Sequence, residues 1–154
     1  MNAIAGIAVA MEEALHPSFK TYAEQILKNA KTLELELKER GYDICFGQTD
    51  NHLLLIDLTN KGITGQEAEE ALDKAGITLN KNMVPDDPRS PMDPSGIRLG
   101  TPALTTRGMK EEEMKRVADL LDRAIVARAD DAELAKIKIE VEDLTSRFLL
   151  WDRS

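Results

Sequence analysis

Arg98 lies in the run Ser95-Gly96-Ile97-Arg98-Leu99-Gly100-Thr101-Pro102-Ala103, an arginine inside a short apolar strand. Upstream stand Asn80-Lys81-Asn82 and a loop punctuated by Pro85, Asp87-Pro88 and Ser90-Pro91. An arginine within such a strand is expected to have a partner, because burying an unpaired guanidinium is costly. Its planar fork suits a carboxylate, which accepts two parallel hydrogen bonds from it. Arg98 is therefore a candidate clamp for the carboxylate of a small acid such as an amino acid. The plainer alternative is a structural ion pair with one of the chain's 28 Asp and Glu side chains.

Other residues with chemical potential are poorly arranged for it. Asn82, by position alone, is a turn asparagine at a loop entry. His16 and His52 are too far apart and too poorly flanked for a metal motif; His52 begins a strand and reads as structural. Glu111-Glu112-Glu113 opens a helix, where negative charge complements the dipole, so a solvated helix start is expected. Met92, Met109 and Met114 lack ligand spacing and read as packing residues. No Ser-His-Asp set, paired cysteine set or Gly-rich phosphate loop is present. The single cysteine, Cys45, falls in an expected strand and reads as a buried inert thiol.

The elements that must position Arg98 follow from periodicity. Asn2–Leu15 reads as a helix apolar on most sides, which expects burial all round. His16-Pro17 breaks the pattern, and Pro17 suits the first turn of a new helix. Phe19, Tyr22, Ala23, Ile26, Ala30, Leu33 and Leu37 then mark a long amphipathic helix ending near Gly41. Strands are expected at Asp43–Phe46 and His52–Leu58, joined as a hairpin. Thr64 and Glu67 make a capping box that opens a helix to Ala75, closed by Gly76. Ile77–Leu79 and Ile97–Leu99 read as short strands around a loop, residues 81–95, holding Pro85, Pro88, Pro91 and Pro94. Loops this long in a compact domain are usually functional or disordered. Two more amphipathic helices follow, one through Met114 and Ile125, the other opened by Asp130 and Glu133. The expected fold is α+β, a small, mostly antiparallel sheet flanked by helices.

Composition narrows the partners. A chain of 154 residues with 42% hydrophobic and 31% charged residues suits one globular domain. The net charge of −8 argues against nucleic acid and against an anionic membrane surface. A lone cysteine excludes an intrachain disulfide and fits a reducing compartment. Ile4–Met11 is too short to span a bilayer and lacks the layout of a signal peptide. A cytoplasmic location is the simplest expectation.

The segments Thr49-Asp50-Asn51-His52, Thr64-Gly65-Gln66-Glu67-Ala68, Asn80-Lys81-Asn82 and Ser95 through Arg107-Gly108 resemble, in order and spacing, the C-terminal part of serine hydroxymethyltransferase. The resemblance runs from about Asn2 to about Leu150, and the Ser95–Ala103 run is its most specific part. It implies the C-terminal small domain of a fold type I pyridoxal phosphate enzyme, with residues 1–16 as a connecting helix toward a large domain and 17–154 as the small domain. The family uses pyridoxal phosphate and moves a one-carbon unit between serine and tetrahydrofolate. By this resemblance Arg98 grips the amino-acid carboxylate and Asn82 contacts the folate ring, to whose edge an amide offers both donor and acceptor.

The family's Schiff-base lysine, its aspartate on the pyridine nitrogen and its histidine over the ring all belong to the large domain. Its phosphate-binding Gly-Gly pair would fall just before Met1. No catalytic residue and no cofactor-binding residue is therefore expected in this chain, and no metal. The family usually has Phe-Val-Thr where this chain has Met92-Asp93-Pro94, which removes an aromatic from the folate side of the loop. The expected partner is the missing large domain or a homologous subunit, within a homo-oligomer in the complete enzyme. The alternative is a stand-alone amino-acid or folate binding module, or a heteromeric partner of a full-length homologue.

Overall fold

The computed structural model describes residues 1–150; residues 151–154 of the expected small domain lie outside the described residues. Among the described residues six helices and a four-stranded antiparallel sheet form an α+β fold, as the sequence leads one to expect. Helices α1 (Asn2–Leu15) and α2 (Pro17–Glu39) meet at His16, whose ring caps α2 while Pro17 takes its first position. Helix α2 buries Ala30, Leu33 and Leu37, spaced three and four apart along one face. It ends before Gly41, which adopts the left-handed backbone (φ 78°) that terminates helices.

Strands β1 (Asp43–Ile44) and β2 (Leu53–Asp57) pair antiparallel, as the expected hairpin does. β1 is shorter than expected. Cys45–Gly47 turns as a single 3-10 turn, and Phe46 takes a left-handed backbone (φ 63°) incompatible with a strand. Helix α3 (Gly65–Lys74) carries the full capping box: the Thr64 hydroxyl accepts from Glu67 N at 3.2 Å, and the Glu67 carboxylate accepts from Thr64 N at 2.8 Å.

Strand β3 is Asn80–Asn82, not Ile77–Leu79. The reason is local: Ile77 N donates to Leu72 O at 2.8 Å, so Ile77 belongs to the closing turn of α3. Strand β4 (Gly96–Gly100) pairs with both β2 and β3, giving the order β1-β2-β4-β3. A short helix α4 (Pro102–Thr106) follows, then α5 (Glu111–Val126) and α6 (Asp131–Ser146). The Asp130 carboxylate caps α6, accepting from Ala132 N and Glu133 N, both at 3.1 Å.

The core lies between the sheet and helices α2, α3, α5 and α6. Leu54, Ile56 and Ile97 from the sheet meet Leu33, Leu72, Met114, Leu121 and Ile137. Helix α1 contributes nothing to it; every one of its residues is exposed. No helix among the described residues is long and apolar enough to cross a membrane.

Candidate functional site

Alternation along β4 sets the site. Successive residues of a strand point to opposite faces. Ile97 is fully buried against the helices, so Arg98 points the other way. Register then names its neighbours: Leu55 of β2 on one side and Asn80 of β3 on the other. Asn82, paired with Gly96, shares this face. It is a diagonal neighbour of Arg98, and such neighbours stand about 7–8 Å apart.

Arg98 is exposed, which corrects the expectation that its strand would bury it. It makes no ion pair and no side-chain hydrogen bond with any described residue, although 14 ion pairs form elsewhere among them. The plainer alternative, an internal ion pair, is therefore not what the described residues provide. The guanidinium donors have no protein acceptor among the described residues.

The two asparagines beside it are half-buried. Asn80 Nδ2 donates to Lys81 O at 2.8 Å, and Asn82 Nδ2 donates to Met83 O at 2.6 Å. These bonds orient both amides and leave each Oδ1 without a protein donor among the described residues. Asn80 was not singled out by sequence, although the two-residue period of Asn80-Lys81-Asn82 places both asparagines on one face.

A cleft of about 500 Å³ opens between the end of β4, the Gly76–Asn80 segment, α4 and α6. Leu53, Leu79, Leu99 and Leu104 give it an apolar lining, and Thr78, Asn80, Arg98, Arg107 and Thr145 also border it. The two arginines differ in use. Arg107 donates from Nε to Phe148 O at 2.6 Å and from Nη2 to Thr145 O at 2.8 Å, so it holds the carboxyl end of α6, where cations are favoured. Of the two, only Arg98 has no hydrogen-bond acceptor for its side chain among the described residues.

The remaining candidates have structural roles. His16 caps α2, and the backbone oxygen of His52 accepts from Thr101 N at 3.1 Å. Cys45 is half-buried in a turn; burial, then Asp57 and Asp43, push its thiol pKa up, so it is a poor nucleophile. Glu111 starts α5, and its own backbone N–H and the Gln25 amide at 2.9 Å hold its pKa down. Among the described residues no group of three or more His, Cys, Asp or Glu is placed to hold a metal ion. Met109 and Met114 are buried packing residues as expected, whereas Met92 is exposed.

An amine beside Arg98 would be needed to hold a carbonyl cofactor. Lys81 is the one lysine on the sheet. It pairs with Ile97 and so occupies the face opposite Arg98, where its backbone N–H and ammonium both approach Glu69. The residues present therefore do not fit pyridoxal phosphate.

The family model described as serine hydroxymethyltransferase matches residues 1–121. The chain is 55% identical over 151 residues to a serine hydroxymethyltransferase of Myxococcus xanthus (strain DK1622). That alignment covers 98% of this chain and 36% of the relative, so the chain spans about a third of that protein's length.

Proposed function

The chain belongs to the serine hydroxymethyltransferase family, and from that premise we propose that it forms the C-terminal small domain of an enzyme that interconverts serine and glycine with one-carbon transfer to tetrahydrofolate. The family implies pyridoxal phosphate and tetrahydrofolate in the full enzyme. The cofactor is held elsewhere in that enzyme, since among the described residues the sheet's one lysine, Lys81, lies on the face opposite Arg98. This chain supplies Arg98 as the clamp on the amino-acid carboxylate and Asn82 as a contact for the folate ring. Residues 1–16 lead toward the large domain, and the apolar, uncovered α1 offers that domain a surface to pack on. Without such a partner the chain is inactive.

The observation that carries this reading is an exposed arginine without a partner among the described residues of a chain so rich in carboxylates. It stands beside two asparagines with open acceptors on one sheet face. The test is titration of serine and of a reduced folate into the chain, alone and with a large domain supplied separately. Arg98→Ala should abolish the serine response and spare the folate response, and Asn82→Ala the reverse. Unchanged serine affinity in Arg98→Ala would overturn the role of Arg98.

A second reading is a stand-alone binding module for an amino acid or a folate, or a heteromeric partner of a full-length homologue. The continuous core favours it, because this fold closes without a second chain. Serine binding of equal strength with and without the large domain would select it.

A further inference from the structure

The loop between β3 and β4 has no regular structure of its own, yet one carboxylate closes it. Asp87 Oδ2 accepts from Val84 N at 3.2 Å and Ser95 N at 2.9 Å. Its Oδ1 accepts from Arg89 N at 2.9 Å and from the Ser95 hydroxyl at 2.7 Å. Val84 follows Asn82 by two residues, and Ser95 precedes Arg98 by three. One side chain thus ties the segment leaving Asn82 to the segment entering the Arg98 strand.

We propose that Asp87 is a positioning residue of the candidate site, its carboxylate fixing the spacing between Asn82 and Arg98. The inference rests on reading those two residues as ligand contacts. Sheet pairing alone is weak support for that spacing. β3 has three residues, sits at the sheet edge and pairs only with β4. Such a strand frays unless it is held; Lys81 N donates to Glu69 Oε1 at 2.9 Å on its outer side, and just past its end Val84 N donates to Asp87, which three further charge-assisted hydrogen bonds tie to Arg89 and Ser95. Ser95 is itself anchored, its carbonyl accepting from Leu58 N at 3.0 Å, so Asp87 connects the loop to the body of the fold. The Ser95 backbone N–H, followed by the Arg89 N–H, the Ser95 hydroxyl and the Val84 N–H, holds the Asp87 carboxyl well below the usual range. The neighbouring Arg89–Asp93 pair, 2.8 Å apart, is solvent-exposed and adds little.

The test is nuclear magnetic resonance on the 154-residue chain and its Asp87→Asn variant. An amide at this position presents N–H donors to backbone N–H groups and cannot reproduce the four bonds. Exchange at the Val84, Arg89 and Ser95 amides should speed by about tenfold or more. The Asn82 Nδ2 and Arg98 Nε signals should shift or broaden, while the amides of α5 and α6 stay unchanged. Ser95→Ala removes one bond of the four and should give a smaller shift of the same two side-chain signals. It decides the matter if Asp87→Asn does not fold. If loop protection falls while the Asn82 and Arg98 signals stay put, Asp87 is a local loop staple and the proposal is overturned. Serine and reduced-folate titrations of the wild-type chain separate the two ideas. A silent Arg98 and Asn82 there removes their ligand role, without altering what Asp87 does to their positions.

Discussion

The carbonyl oxygen of Gly96 lies 2.2 Å from where a Cβ on Gly65 would stand. The amino end of α3 is therefore pressed directly onto the first residue of β4, and Gly65 N donates to Pro94 O at 2.7 Å beside it. Neither residue has room for a side chain; a Cβ on Gly96 would meet Ile56 O at 2.6 Å. This contact joins two separate sequence motifs, Thr64-Gly65-Gln66-Glu67-Ala68 and Ser95-Gly96-Ile97-Arg98.

Gly65→Ala should destabilise the chain, although alanine is the better helix former. The obstacle is backbone, which cannot swing aside, and overpacking of this kind costs about 1–3 kcal/mol or more. The urea midpoint should fall at unchanged slope. A midpoint at or above wild type would show that α3 shifts freely from β4.

Arg98→Ala should leave stability alone. The side chain is exposed and unpaired within the described residues, and such substitutions stay within about 0.5 kcal/mol. Serine binding in the complete assembly should nonetheless weaken by about 1.5–3 kcal/mol, the range for a charged hydrogen bond. Arg98→Lys should recover little, because an ammonium cannot reproduce the fork. Thermal unfolding and calorimetric titration on the same preparations check both halves. A large stability loss in Arg98→Ala would mean that the guanidinium is used within the fold.

Glu34 should make the fold acid-sensitive. It is almost wholly buried on α2 and accepts from Lys38 at 2.7 Å, Lys31 at 3.0 Å and Thr49 N at 2.9 Å. Burial alone would raise its pKa, but these donors outweigh burial and hold it below its ordinary value. A depressed folded pKa gives stability that is complete above the unfolded value, about 4.3, and is lost as pH falls through the folded one. Glu34→Gln should therefore cost about 1–3 kcal/mol at neutral pH and converge on wild type in acid. Denaturation midpoints against pH for both proteins test this. Asp87 and Glu140 are also held low, so the difference between the curves isolates Glu34.

Helix α1 should drive self-association of the isolated chain. Ile4, Ile7, Val9 and Met11 are 57–69% exposed. Covering one such side chain contributes about 1.5–3 kcal/mol, so several together can offset the cost of association. Charged substitutions at Ile7 and Met11 should raise solubility and reduce light scattering while leaving the rest of the fold intact. A monodisperse wild-type monomer with α1 strongly protected from hydrogen exchange would contradict this.

Most elements were legible because their signals are local. Pro17, the Thr64–Glu67 box, Asp130 and the three-four spacing of α2 each specify a helix without outside help. The misplaced strand was not local. Ile77–Leu79 has strand-forming residues, yet β3 is chosen by register with β4, and Ile77 is taken by the end of α3. Phe46 was hidden for a similar reason, since nothing in its type announces a left-handed backbone. The exposure of Arg98 was within reach: Ile97-Arg98-Leu99 alternates, which turns the arginine away from its apolar neighbours. The four hydrogen bonds to Asp87 were not, because they join residues whose approach depends on the folded loop.

Arg98 is an exposed cation without an ion-pair partner among the described residues, on a molecule of net charge −8. An approaching anion therefore meets repulsion from the whole chain before it feels the attraction of one guanidinium. At low ionic strength that repulsion reaches far, about 30 Å at 0.01 M, and shrinks to about 8 Å at physiological salt. The contact pair is screened much less than the long-range field. Moderate salt should hence speed the arrival of a carboxylate at Arg98, the reverse of what a basic binding surface shows.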